Sequence, residues 1–492
     1  MVGRFFGCWE IGFSDKIELL WQMKKWLFSF GVLFLTYNHV HAQSIEQKLK
    51  SATEKLLSDA QMKNASLGFY VADGETGEKL YDYNGDVGLS PASTQKIFTS
   101  IASYDLLGQD FKFSTVIGYN GTIEGGVLKG DLIIKGFGDP TLGSWRYKGF
   151  KPEDVHNKIR QSLKSNGIRA IDGNVIVDDG AYALQPMPGG WPWNDMGNYY
   201  GAPCWGFNWL ENQYDITFRP GKKIGEETSI AKISEDLPGV TIINQTTTAE
   251  SGSGDQSSIL LPPYGTTGII TGTLPLGKNT TASGSIPNPP LLFVNQLKHW
   301  LESDTIYTTG YFTCTNQLVI QKKNVPVIKK SLDTLFSPSM DDMMYYFLQR
   351  SINLYGESFV KAIGWKKAER GETAYGVGIV RNFWEGKGVA KNALKMIDGS
   401  GLSPQNYDAA SSEVKALLYA KKQAWFDGFY KALPIYNNTK MKSGTISMCK
   451  AFTGYQKASN GKQYVFSIII NNYNGAHDAI VNKMYQVLNV LK

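Results

Sequence analysis

Ser93 follows Pro91 and Ala92 and stands three residues before Lys96, a spacing that puts a hydroxyl and an amine on one face of a helix. Apolar residues then recur at Ile97, Ile101, Tyr104 and Leu107, as in a helix with a buried stripe. A serine alcohol is a weak nucleophile near neutral pH and becomes useful only beside a base. A lysine is a base only when neutral, and desolvation, the positive end of a helix or a second nearby cation lowers its pKa. The pair alone does not discriminate. Serine also caps helices by accepting a first-turn backbone N–H, and Ser-x-x-Lys recurs at Ser412 and Ser447. Two rarer motifs accompany it. Ser351-Ile352-Asn353 is the one Ser-x-Asn of the chain, and Lys442-Ser443-Gly444, opening a terminal strand, is its one Lys-Ser/Thr-Gly.

The order Ser-x-x-Lys, Ser-x-Asn, Lys-Ser/Thr-Gly resembles that of the active-site serine penicillin-binding proteins and related β-lactamases. The stretches "PASTQK", "LLGQDFKFST", "GVLKGDLIIKGFGDPTL", "IDGNVIVDD", "GGWPWNDM", "IPNPP", "DGSGLS" and "KSGTIS" extend the likeness over nearly the whole chain. They resemble the class C low-molecular-mass penicillin-binding proteins, D-Ala-D-Ala carboxypeptidase/endopeptidases that trim peptidoglycan. Ser351 lies 258 positions after Ser93 (93 to 351), whereas simple β-lactamases place the second motif far sooner. In this family that gap holds inserted domains. Ile352 departs from the family, which often has Asp there; the working atoms come from Ser351 and Asn353.

The resemblance implies a role for each motif residue. Ser93 is the nucleophile and Lys96 its base. Ser351 relays the proton towards the leaving amine, and Asn353 holds Lys96 or the substrate amide. Backbone N–H groups of Ser93 and Thr445 form the oxyanion hole. Lys442 and Ser443, with Gly444 completing the motif, bind the C-terminal carboxylate of D-alanine or of a β-lactam. It further implies that Asp195, in "GGWPWNDMGNYYGAP", pairs with the free amine of diaminopimelate, shielded by Trp191 and Trp193. "DGSGLS", Asp398 to Ser403, reads as a glycine-enabled turn near the cleft. The expected partners are peptidoglycan stem peptides and β-lactams, with no metal or organic cofactor. Two rivals differ in turnover. A β-lactamase or esterase on the same scaffold releases penicillin quickly, whereas a non-catalytic penicillin-binding sensor turns over nothing. The intact set Ser93, Lys96, Ser351, Asn353 and Lys442 argues against the sensor.

Composition is consistent with this class. The chain has 492 residues, 42% hydrophobic and 19% charged, enough for two or three domains. A net charge of +6 without any lysine- or arginine-rich run gives no footprint for nucleic acid. Met23-Lys24-Lys25, an apolar run from Trp26 to Tyr37 and "NHVHAQS" form a signal-peptide pattern cleaved after Ala42. The run falls short of the roughly 20 residues of a membrane span. Glu10, Asp15 and Glu18 do not suit a signal's basic region, which points to Met23 as the true start. An exported, periplasmic protein is expected. Outside the leader, which holds Cys8, the cysteines Cys204, Cys314 and Cys449 are too few and too scattered for a disulfide framework. His156, His299 and His477 lie far from other ligands at metal-binding spacing.

The elements that must position these residues follow from periodicity. Ile45, Leu49, Ala52, Leu56 and Ala60 mark a helix, "LGFYVAD" and "EKLYDYN" a hairpin around "GETG", and then comes the Ser93 helix. From about Phe113 glycine-dense strand and turn material dominates, and helical texture returns near Pro338. The chain closes as strand, hairpin, strand and helix. The expected fold is α+β: a serine β-lactamase/transpeptidase-like domain with a mostly antiparallel sheet between helices, built from residues 43–112 and 326–492. Inserted β-rich domains occupy residues 113–325, and residues 1–42 form leader and signal.

Overall fold

The computed structural model describes residues 44–492; the expected signal from Met23 to Ala42 lies outside the described residues. Helix α1, Ile45–Leu57, starts where Ser44 accepts the Gln47 amide and the Gln47 side chain answers the Ser44 N–H, satisfying two orphan donors at once. Strands β1, Ser66–Asp73, and β2, Lys79–Tyr83, form the hairpin, its turn closed by Asp73 accepting the Glu75 and Thr76 amides. A 3₁₀ turn, Ala92–Gln95, leads into α2, Lys96–Leu107.

The chain then leaves this framework. Strands β3 (Ser114–Tyr119) and β4 (Leu132–Gly136) precede α3 (Pro152–Ser165) and β5 (Val175–Asp178). After smaller sheets come α4 (Pro289–Ser303), β6 (Phe312–Cys314) and β7 (Lys330–Phe336). These strands form one sheet in the order β6-β5-β4-β3-β7. Two features differ from expectation. The inserted region carries amphipathic helices, with Val155, Ile159 and Leu163 of α3 and Leu292, Phe293 and Leu297 of α4 in one core with the strands. Its end also lies beyond residue 325, because β7 pairs antiparallel with β3 and closes the insertion on its own first strand. Local texture carries no record of such a long-range pairing.

The framework resumes with α5 (Met340–Gln349), α6 (Asn353–Ala368), α7 (Ala410–Ala420) and α8 (Phe426–Ala432). Strands β8 (Ile435–Tyr436), β9 (Thr439–Ile446), β10 (Cys449–Lys457) and β11 (Gln463–Asn471) and helix α9 (His477–Leu488) end it. The main sheet runs β2-β1-β11-β10-β9-β8 with every pairing antiparallel. Phe466, Ile468 and Ile470 of β11 pack towards α1 and α9, while Val465 joins the core of α2, α5 and α6 on the other face. A strand buried on both faces reads as a near-continuous apolar run, as "YVFSIII" does, broken only by the buried Ser467. The first and last parts of the chain thus share one sheet, and α2 lies buried against it with the Ser93 turn at its head.

Candidate active site

Ala92 enters the turn with φ 50°, a left-handed conformation that costs on the order of 1 kcal/mol for a residue with a side chain. Ser93 follows within the 3₁₀ turn, and its side chain caps no helix: α2 begins at Lys96 with no side-chain cap. Lys96 is fully buried. Its Nζ lies 2.9 Å from Ser93 Oγ, 2.7 Å from Asn353 Oδ1 and 2.6 Å from the Ser400 carbonyl. Asn353 donates its amide N–H to the Tyr200 carbonyl at 2.8 Å, which fixes its oxygen towards the lysine. A neutral amine has two N–H groups and one lone pair. The asparagine and Ser400 oxygens take the two N–H groups, leaving the lone pair for the Ser93 hydroxyl. Burial pushes Lys96 down to about 7, against the upward pull of Asp398 and Glu357, so the neutral form is within reach near neutral pH.

The Ser400 carbonyl is aimed by its own loop. Asp398 Oδ1 accepts the Gly401 amide at 2.7 Å and the Asn406 amide at 3.0 Å, and Oδ2 accepts the Ser403 amide at 2.7 Å. Gly401 has φ 84°, and a Cβ there would meet the Ala92 carbonyl at 1.9 Å; only glycine lets this loop close on the Ser93 turn.

Ser351 sits between α5 and α6 with φ 56°, and Lys442 on β9 donates to its hydroxyl at 3.0 Å and to the Ser443 carbonyl at 2.9 Å. Lys442 is held well below its ordinary pKa, first by burial and then by the Lys96 and Lys450 charges. Gly444 presses β9 against the turn: a Cβ would meet the Pro91 carbonyl at 2.2 Å and the Ser93 nitrogen at 3.1 Å. Thr445 is exposed beside it, its hydroxyl accepting from Lys450 at 2.8 Å.

A cavity of about 1060 Å³ opens on this wall, lined by Ser93, Ser351, Asn353, Thr445 and Asp195 among others. Lys96 and Lys442 stand behind it, and Ser443 and Gly444 do not line it. Lys442 therefore bears on a ligand through Ser351 and through its charge. Asp195 is half-buried, raised above its ordinary pKa by burial and accepting from the Tyr200 hydroxyl at 3.3 Å. The two tryptophans do not shield it as expected. Trp191 is buried and donates to Asp398 at 2.8 Å, while Trp193 is 56% exposed; Tyr200 lies against Asp195 instead. The ends of this segment are tied by one buried amine, Lys361, which donates to Pro186 O at 3.1 Å and Cys204 O at 2.7 Å.

The structure thus gathers Ser93, Lys96, Ser351, Asn353, Lys442, Thr445 and Asp195 around one cleft. Sequence reasoning missed the Ser400 carbonyl, Asp398 as its organiser and Lys450 behind Thr445. The signal available for the first two was the pair of glycines in "DGSGLS".

The model of the D-Ala-D-Ala carboxypeptidase 3 (S13) family matches residues 49–490. A D-alanyl-D-alanine carboxypeptidase of Actinomadura sp. strain R39 is 26% identical over 470 residues, 87% of this chain and 82% of the relative. D-alanyl-D-alanine carboxypeptidase DacB of Haemophilus influenzae is 22% identical over 474 residues, 91% of this chain and 92% of the relative. The crystal structure of penicillin binding protein 4 from Haemophilus influenzae matches this fold with a TM-score of 0.75 at 22% identity, over 90% of this chain and 98% of that one. The family match takes in the Ser93 turn, the insertion and the closing strands alike, and the chain belongs to the D-Ala-D-Ala carboxypeptidase 3 (S13) family.

Proposed function

We propose that the chain is an exported, periplasmic serine D-Ala-D-Ala carboxypeptidase and DD-endopeptidase, acting on peptidoglycan stem peptides through an acyl-enzyme on Ser93. The observation that carries this reading is the Lys96 amine, 2.9 Å from Ser93 Oγ and with a pKa near 7. Ser93 Oγ attacks the carbonyl carbon of the scissile D-Ala-D-Ala bond and passes its proton to Lys96. The developing oxyanion meets the backbone N–H groups of Ser93 and Thr445. As the C–N bond breaks, the Ser351 hydroxyl, held by Lys442, hands a proton to the departing amine of D-alanine and takes back the one that Lys96 removed from Ser93, so that both groups are reset. Water then hydrolyses the ester and frees Ser93. The terminal carboxylate rests at the Thr445 hydroxyl, with Lys450 and Lys442 as the charges behind it. Asp195, across the cavity, pairs with the distal amine of diaminopimelate. A β-lactam carries a matching carboxylate and acylates the same serine.

Two measurements test the reading. Penicillin is expected to form one adduct, on the peptide containing Ser93, and to be lost in Ser93→Ala. Incubation with defined muropeptides is expected to release D-alanine or split cross-links, read by mass spectrometry. An adduct that persists in Ser93→Ala, or muropeptides returned intact, defeats the proposal, and fast release of penicillin points instead to a β-lactamase.

A further inference from the structure

A second cavity, of about 830 Å³, opens between α5, α8 and the Arg146–Phe150 segment. It shares one wall residue, Arg146, with the cavity that holds Ser93. Glu211 grips Arg146 Nε at 2.9 and 3.0 Å, and the guanidinium lies over the rings of Trp145 and Tyr346. Its terminal N–H groups have no hydrogen-bond partner among the described residues. A pinned guanidinium with open donors is a preorganised carboxylate receptor. Around the same cavity stand Lys112, Lys148 and Lys431, all exposed and none in an ion pair among the described residues. Two carboxylates, Asp341 and Asp342, line the cavity against these three lysines, and their hydrogen-bond donors are neutral. Asp341 accepts from Tyr104 and Gln109, and Asp342 from Ser339. Phe336 and Tyr345, 57% and 40% exposed, supply apolar faces beside the cations.

We propose that this cavity is an anion subsite that takes a carboxylate-bearing stretch of the substrate peptide, reached from Ser93 past Arg146. The inference rests on the reading of the substrate as a stem peptide. The wall shared at Arg146 favours a further part of the molecule already seated at Ser93 over an unrelated anion. The surplus of unpaired cations favours carboxylates over neutral sugar.

The test uses two synthetic peptides with the same D-Ala-D-Ala end and the same distal amine. They differ in one upstream carboxylate, free in the first and amidated in the second. Their dissociation constants are measured on Ser93→Ala protein, so that binding is read without turnover, and their hydrolysis on the unaltered chain. The free carboxylate is expected to bind about fivefold tighter, the yield of a few partly exposed charge contacts. That advantage is expected to shrink with added salt and to vanish when Lys112→Glu, Lys148→Glu and Lys431→Glu are combined. These side chains are exposed, and a melting curve checks that the triple variant stays folded. Equal binding of the two peptides by the Ser93→Ala protein, or an advantage that survives charge reversal, overturns the subsite. Failure of the unaltered chain to cleave either peptide is a separate result, and it counts against the peptidase reading instead.

Discussion

Lys442 donates to the Ser351 hydroxyl at 3.0 Å, so the second lysine of the site stands behind the Ser-x-Asn serine rather than beside Ser93. Removing that hydroxyl leaves Lys442 with the Ser443 carbonyl at 2.9 Å and no hydrogen bond towards the cleft. Ser351→Ala is therefore expected to fold and to lose about 10²-fold or more in kcat on peptides, the usual yield of a positioned proton relay. Stopped-flow hydrolysis checks this. Turnover within a few-fold of the unaltered chain removes Ser351 from the proton path.

Lys96 with a pKa of about 7 predicts the pH dependence of acylation. The amine is protonated and useless as a base below that value and neutral above it. The rate of penicillin acylation is expected to climb about tenfold per pH unit on the acid side and to level off above pH 7, the form for one essential base. Lys96→Arg keeps a cation that does not deprotonate in this range and is expected to abolish acylation while preserving binding. A flat profile between pH 5 and about 8 excludes Lys96 as the base.

The residues proposed to do chemistry were legible because their side-chain types are rare in combination and fall in a fixed order along the chain. Ser93, Lys96, Ser351, Asn353 and Lys442 meet around one wall for that reason. What was not legible acts through the backbone or through distant pairing. The Ser400 carbonyl has no residue-type signal, since every residue has one, and only Gly401 hinted at the close approach that brings it to Lys96. Trp191 looked like a shield for Asp195, but an indole N–H buried in a core seeks an acceptor, and Asp398 supplies it. The closing strand β7 was read as framework because its partner β3 lies some two hundred residues earlier.

A buried acid pair outside the cleft predicts how stability varies with pH. Asp408 and Glu413 are fully buried, and both Asp408 oxygens and Glu413 Oε1 lack a protein partner among the described residues. Ser467 donates to the other Glu413 oxygen at 2.6 Å. Burial, and for Asp408 also the charge of Glu413, raises both pKa values above the ordinary carboxylate range. The native state then holds protons that the unfolded chain releases above the ordinary glutamate value of 4.5. Stability contributed by the pair is present at acid pH and falls as pH rises from there towards the raised native values. Urea unfolding at about pH 5 and pH 8 is expected to show a smaller loss of stability in Glu413→Gln than in the unaltered chain. An equal loss in both would mean that the pair is not protonated in the native state.

Asp195 tests recognition apart from chemistry. It lines the cavity of Ser93 but belongs to the inserted region, on a segment tied to the framework by Lys361, Trp191 and the Asn353–Tyr200 bond. If its carboxylate pairs with the distal amine of the substrate, it provides binding remote from the scissile bond, and such binding serves partly for positioning. A charge-assisted pair in a half-shielded cleft contributes on the order of 1.5–3 kcal/mol, so Asp195→Ala is expected to lose roughly ten- to hundredfold in kcat/KM on a diaminopimelate peptide. Penicillin has no such amine, and its acylation rate is expected to hold. The deciding comparison is between that peptide and an analogue whose distal amine is acetylated. The unaltered chain should favour the free amine, and Asp195→Ala should cut hydrolysis of that peptide while sparing the acetylated one. Equal losses on both would mean that Asp195 acts by placing the segment, through the same contacts that bring the Tyr200 carbonyl to Asn353, and the amine would have to be read by another group.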